Sequence, residues 1–264
     1  MTETNKRPSR LVSVSAWIIY LFLIVPSLIV IPMSFSNSTE LVFPPKVWGL
    51  DLYQKMLDPG EGWLSAILRS TEVALVTAVC ALVLGVLATY ALERSEFRGK
   101  KTIEFLFISP IFVPSIVLAL ALYLCFSYLG LAGSFIGLVV SHIIVTVPFV
   151  ILTARAGMKQ IDVGIETVAA VMGASKWQIF RKVVLPLLKP SLLSAGFFSF
   201  LLSFDEVVIA WFVGASVNPT LPVKMYSSLQ WEISPVLAAI SSLLLLITCV
   251  ICIAVALTRK NAPS

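Results

Sequence analysis

Five side chains stand out because the residues around them are apolar: Asp205, Glu206, His142, Glu72 and Trp211. An ionisable group in such a stretch is costly and is a functional suspect by default. Two carboxylates facing a water-filled path would attract a cation or an amine. Asp205 and Glu206 are neighbours, however, and on a helix they point about 100° apart, so both cannot face one way. One then lines a path while the other caps a helix or pairs with a neighbour; the competing reading has both holding helices together through hydrogen bonds. Glu72 follows Arg69 by three residues on the same helical face, where the two neutralise each other. His142, beside Ser141, reads as a bond to a carbonyl across helices rather than as a metal ligand, because no second ligand has suitable spacing. Trp211 offers a cation–π face, but tryptophan also belongs to the aromatic belt at a membrane interface, and the belt is the simpler reading. The cysteines Cys80, Cys125, Cys249 and Cys252 all sit in apolar runs and read as small hydrophobes. Cys249 and Cys252 form a C-x-x-C pair without a histidine or second pair, which leaves no metal site. No catalytic constellation is visible either.

The elements that must position these groups are membrane spans. Of the 264 residues, 58% are hydrophobic and 12% charged, about half the charged fraction of a soluble domain, roughly 25%. That excludes a soluble enzyme. Apolar runs long enough to cross a bilayer, about 20 residues each, recur at roughly 12–34, 70–92, 104–127, 134–154, 191–213 and 235–257. The first run is too long for a cleaved signal peptide and reads as a retained helix. The fold class is therefore an all-α polytopic membrane protein with six transmembrane helices in a single transmembrane domain over 1–264. Pro110, Pro114 and Pro148 interrupt spans three and four and mark places able to bend.

Lysine and arginine set the orientation. With the N-terminus inside, Lys6, Arg7, Arg10, Arg94, Arg98, Lys100, Lys101, Arg155, Lys159, Lys176, Arg181, Lys182, Lys189, Arg259 and Lys260 are cytoplasmic, 15 of 19. Lys46, Lys55, Arg69 and Lys224 remain outside. The split puts both termini in the cytoplasm, and the net charge of +5 needs no nucleic-acid partner. Two loops are too long for turns: 35–69 outside and 155–190 inside.

Residues 161–190 read IDVGIETVAAVMGASKWQIFRKVVLPLLKP. Ile165, Val168, Ala169 and Met172 repeat at helical spacing, as do Trp177, Phe180, Val183 and Val184. Gly173 between them permits a sharp turn, and Pro186 is expected to end the second pattern. The result is a helix-turn-helix with apolar and basic faces, for which an amphipathic helix lying among headgroups is the plainer alternative. The motif search adds an absence: no G-x-x-x-x-G-K-[ST] sequence occurs, so the chain has no phosphate-binding loop of its own.

Glu166, Ala169, Ala170, Gly173, Ala174, Val183, Leu185 and Pro186 resemble the EAA loop of ABC-importer permeases, whose pattern is E-A-A-x3-G-x9-I-x-L-P. Gly173, Val183 and Leu185-Pro186 fit its spacing. Thr167 occupies the strict glutamate position, Glu166 lies one residue before it, and Val168 and Ala169 take the two alanine places. The stretch 198–239, the P-x-x-V-P run at 110–114 and Pro148 are similar to PotC-type permeases of spermidine/putrescine importers. This resemblance implies a type I importer-permease (MetI-like) core with 155–190 as a cytoplasmic coupling loop, in the inner membrane of a bacterium. It implies a second permease subunit, two nucleotide-binding ATPase subunits that hold ATP and magnesium, and an extracytoplasmic solute-binding protein touching the 35–69 and 214–234 loops. The permease itself would bind no cofactor and catalyse nothing. Its solute would be a polyamine or a related small cation, and the resemblance of the S-F-D-E stretch favours Asp205 as the path carboxylate. A rival of another class is a proton-driven carrier using Asp205, Glu206 and His142; it lacks an inverted internal repeat and leaves the EAA-like loop without a job.

Overall fold

The computed structural model describes residues 10–38, 40–214, 218–231 and 233–260. Lys6 and Arg7, counted above among the inside charges, and the side chain of Cys252 lie outside the described residues. The described chain is helical, with one isolated antiparallel bridge between Ser36 and Trp48.

The chain divides into two compact units. The first, residues 1–64 and 227–264, is built from α1 (Arg10–Ser34), α2 (Asp51–Leu57) and α12 (Val236–Lys260). α12 packs against α1 and α2. Leu52 and Met56 bury the inner face of α2, and a 2.8 Å hydrogen bond joins the Ser34 and Tyr53 hydroxyls.

The second unit, residues 65–226, holds most of α3 (Trp63–Arg94), then α4 (Lys100–Ile108), α5 (Ser115–Tyr128) and α6 (Phe135–Met158). After these come α7 (Val163–Val171), α8 (Lys176–Ile179), α9 (Leu185–Phe204), α10 (Val208–Val213) and the first turns of α11 (Leu221–Trp231). Its centre is the packing of α6 on α9 and α3. Glycine lets the backbones come close: a Cβ at Gly85 would stand 2.6 Å from Val150 Cγ1, and one at Gly157 would stand 2.3 Å from Ser191 Oγ. Ala81, Val147, Val150, Ile151 and Ala195 fill one layer of this three-helix contact.

Four helices among the described residues are long and apolar enough to cross a membrane, and the bent pair α4–α5 makes a fifth. The sixth expected span falls on α12, apolar over Val236–Val250. The third span bends at Pro114, one of the places the sequence marks as able to bend, and turns by 111° between Phe112 and Ser115. Val113, ahead of Pro114, is held extended at φ −90°, ψ 128°, as a residue before proline usually is. The fifth span, expected to run unbroken over 191–213, belongs to a helix that begins at Lys176 and stops at Phe204. Glu206 then accepts from the N–H of Ile209, three residues ahead, at 2.9 Å, where α10 starts anew behind Val207; such a local side-chain bond to the backbone is one that hydropathy does not register. Pro148 lies inside α6 without dividing it. Pro186 does not end the second loop helix, because residues Phe180–Val184 widen into a π-turn just before it. The wider turn relieves the clash and the missing N–H that proline brings to a regular helix.

Candidate functional site

α7 and α8 form the helix-turn-helix of the 161–190 segment. Asp162 caps α7 by accepting from the Gly164 N–H at 2.8 Å. Ser175 and Gln178 cap α8 reciprocally, which fixes where the second helix begins. Between them Gly173 has φ +87°, the left-handed region that side chains with a Cβ avoid.

Each helix shows a different side to the bundle. Ile179, Phe180, Val184 and Leu188 enter a core with Val86 and Met158, and Ala169, Ala174, Val183 and Leu185 pack around it. Phe180 also meets Tyr90, with ring centres 4.8 Å apart. The opposite side is apolar and uncovered: Val171 is 85% exposed, Met172 83% and Trp177 61%. Ala170 is exposed as well. The arrangement is a helix pair rooted in the bundle that presents an oily outer surface.

Glu166 is the one buried residue of α7. Its Oε1 accepts from Arg94 Nε at 2.7 Å, at the far end of α3. Thr167 is exposed and its hydroxyl bonds back to Val163 O at 3.0 Å. A second ion cluster lies nearby in sequence terms: Arg155 Nε donates to Glu93 and its Nη1 to Glu104. Sequence reasoning counted Arg94 and Arg155 only as orientation charges and passed over Glu93 and Glu104. The available signal was two carboxylates standing at the ends of apolar runs among basic residues.

The polar groups of the spans are spread out. His142, fully buried, pairs through Nδ1 with the Ser203 hydroxyl at 2.8 Å. Its partner is thus a side chain of α9 rather than a backbone carbonyl. His142 Nε2, Thr77 Oγ1 and Ser199 Oγ are buried beside α6, α3 and α9 without a hydrogen-bond partner among the described residues. Asp205 stands at the end of α9, exposed, and its carboxylate meets no cation or donor among the described residues. Glu206 is occupied by the Ile209 N–H in the first turn of α10. Glu72 lies 3.4 Å from Arg69 with a side chain 57% exposed, and Arg69 also sits over the Phe135 ring. Trp211 meets Tyr226 edge to face at 5.4 Å. The structure therefore brings His142 to Ser203 but does not assemble His142, Glu72 and Asp205 into one cluster.

Comparison with known proteins decides what this architecture is. Residues 81–262 match the family described as "Binding-protein-dependent transport system inner membrane component". The chain belongs to that family. The permease is 33% identical over 243 residues to the spermidine/putrescine transport system permease protein PotC of Escherichia coli K12, covering 92% of this chain and 91% of that protein. It is 29% identical over 233 residues to the putrescine transport system permease protein PotI of the same strain, covering 86% and 82%. Its fold matches a chain of a bacterial ABC transporter that imports the acidic polysaccharide alginate, with a TM-score of 0.72 at 17% identity over 98% of this chain and all of that one. The protein is a membrane permease subunit of an ABC importer with the type I permease fold. The match is to binding-protein-dependent systems rather than to proton-driven carriers.

Proposed function

We propose that this permease admits polyamines, or closely related small cationic amines, along a path whose charge is supplied by Asp205. The names of the relatives support the solute class. The observation that carries the choice within this chain is Asp205 itself, an exposed carboxylate without a partner at the break between α9 and α10. A free carboxylate beside a helix C-terminus adds to the negative end of that helix's dipole and favours a cation. Glu206 is committed to the backbone and contributes shape rather than charge.

The energy enters elsewhere. Both termini and the 161–186 helices face the cytoplasm, where the exposed surface of Val171, Met172 and Trp177 meets a separate nucleotide-binding subunit. Two such subunits hold ATP and magnesium, a second permease completes the path, and a solute-binding protein delivers the amine from outside. ATP binding favours one arrangement of the pair and solute release the other, which is coupling through contacts that differ between two states. Glu166, answered by Arg94, does the work of the family glutamate that Thr167 displaces.

The test is a competition series on the assembled transporter in vesicles. Uptake of labelled spermidine should be competed by putrescine and left alone by glutamate and by a neutral polyol. Asp205→Asn should raise the KM for spermidine roughly tenfold, the equivalent of one lost charge contact of about 1.4 kcal/mol. Competition by the polyol or the anion, or an unchanged KM in the Asn variant, would contradict the assignment.

A further inference from the structure

Two helices of the second unit bury no apolar side chain fully, although Ala169 of α7 packs at the edge of a core. α4 buries none of its residues, and α7 buries only Glu166. Each is instead fastened by one carboxylate to one arginine: Glu166 of α7 to Arg94 of α3, and Glu104 of α4 to Arg155 of α6. The two fastenings share an anchor. Glu93, the residue before Arg94, takes the Nε of the same Arg155 whose Nη1 serves Glu104. Neighbouring residues leave a helix about 100° apart, so the end of α3 reaches toward α7 with Arg94 and toward α4 and α6 with Glu93.

Elements with few buried apolar contacts are the ones that open or shift at least cost. An ion pair on such an element holds position while allowing it to move as a lever, whereas an apolar face would lock it into the core. The side chains of Arg155, Glu93 and Glu104 are 28%, 18% and 25% exposed. They are thus shielded enough to be little screened by salt.

We propose that Glu93, Arg94, Arg155 and Glu104 are positioning residues for transport: they make α4 and the ends of α3 and α6 follow α7 as one body. This rests on the reading of α7 and α8 as the surface an ATPase subunit pushes, and it adds the route by which the push leaves the loop. The fixed geometry of a guanidinium suits Arg155 to this task, since its planar fork serves two carboxylates in set directions.

The test uses spin labels on Val163, at the start of α7 and away from the docking surface, and on Leu106, both exposed, in the full permease. The wild-type distance between them should stay single and narrow without nucleotide and after trapping of the assembled transporter with ATP and vanadate. Arg155→Gln should broaden that distance in both states and lose uptake while ATP hydrolysis continues. If Arg155→Gln does not assemble, Glu104→Gln carries the same expectation with a milder lesion. Exchanging the charges in Arg94→Glu/Glu166→Arg should restore what Arg94→Glu alone loses, which a general packing role would not do. An unchanged distance and an unchanged ratio of ATP hydrolysed to solute moved in both Gln variants would overturn the proposal. A wild-type complex in which ATPase subunits never engage would count against the loop reading instead. The nucleotide-free distance would still decide the junction.

Discussion

Glu166 and Thr167 sit side by side on α7, and only the first is turned inward, to Arg94. Moving the carboxylate by one residue rotates it by about 100°. The double variant Glu166→Gln/Thr167→Glu, which regenerates the strict family spacing, should therefore stay as poorly coupled as Glu166→Gln alone; uptake per ATP is the measure. Breaking this partly shielded pair should also cost about 1–3 kcal/mol of stability, mostly because Arg94 is left uncompensated. Gly173 is constrained by its backbone alone, since a Cβ there would touch nothing within 4 Å. Gly173→Ala should cost roughly 1 kcal/mol through the left-handed conformation and lower ATP-dependent uptake while membrane insertion persists, which uptake against surface expression would show. Local spacing made Gly173 and the Glu166 shift legible in the sequence. The Arg94 partner was not, because it stands 72 positions away and no periodicity links the two.

At the scale of elements, the long apolar helices could be read from composition and the bend at Pro114 from its proline, but the break within 191–213 could not. A run such as 191–213 counts hydrocarbon, and hydrocarbon does not record where a side chain captures a backbone N–H. Glu206 does so and divides the span. Glu206→Ala should remove a hydrogen bond worth about 1 kcal/mol, seen as a lower unfolding temperature of the purified permease, with the spermidine KM near wild type. Asp205→Asn should show the reverse, a changed KM with an unchanged unfolding temperature. The effect of a proline depends on the turn around it: the bend falls at Pro114 as its position suggests, whereas Pro148 and Pro186 leave their helices undivided. Pro114 follows an extended residue and accompanies a 111° bend. Pro186 follows a π-turn and is absorbed into a continuous helix. The short helices α2 and α11 lie in the expected outside loops, 35–69 and 214–234, and α10 takes up the last part of the expected fifth span.

For the molecule as a whole, charge placement and family membership lead to one arrangement. Fifteen of 19 basic residues fall on one side when the N-terminus is placed inside, and that placement puts the 161–190 segment on the same side. Single cysteines at Lys159 and Lys55 should then react with an impermeant thiol reagent only from the cytoplasmic and only from the outer face, respectively. The central claim is that this permease moves a cationic amine using ATP hydrolysed on partner subunits that act through α7 and α8. The most direct measurement is accumulation of labelled spermidine by vesicles holding the assembled transporter, with ATP supplied on the loop side, for wild type and Gly173→Pro. The account predicts saturable, ATP-dependent accumulation in the wild type and, in the variant, ATP hydrolysis without accumulation. Normal ATP-driven accumulation by Gly173→Pro, or none by an ATP-hydrolysing wild type, would contradict it.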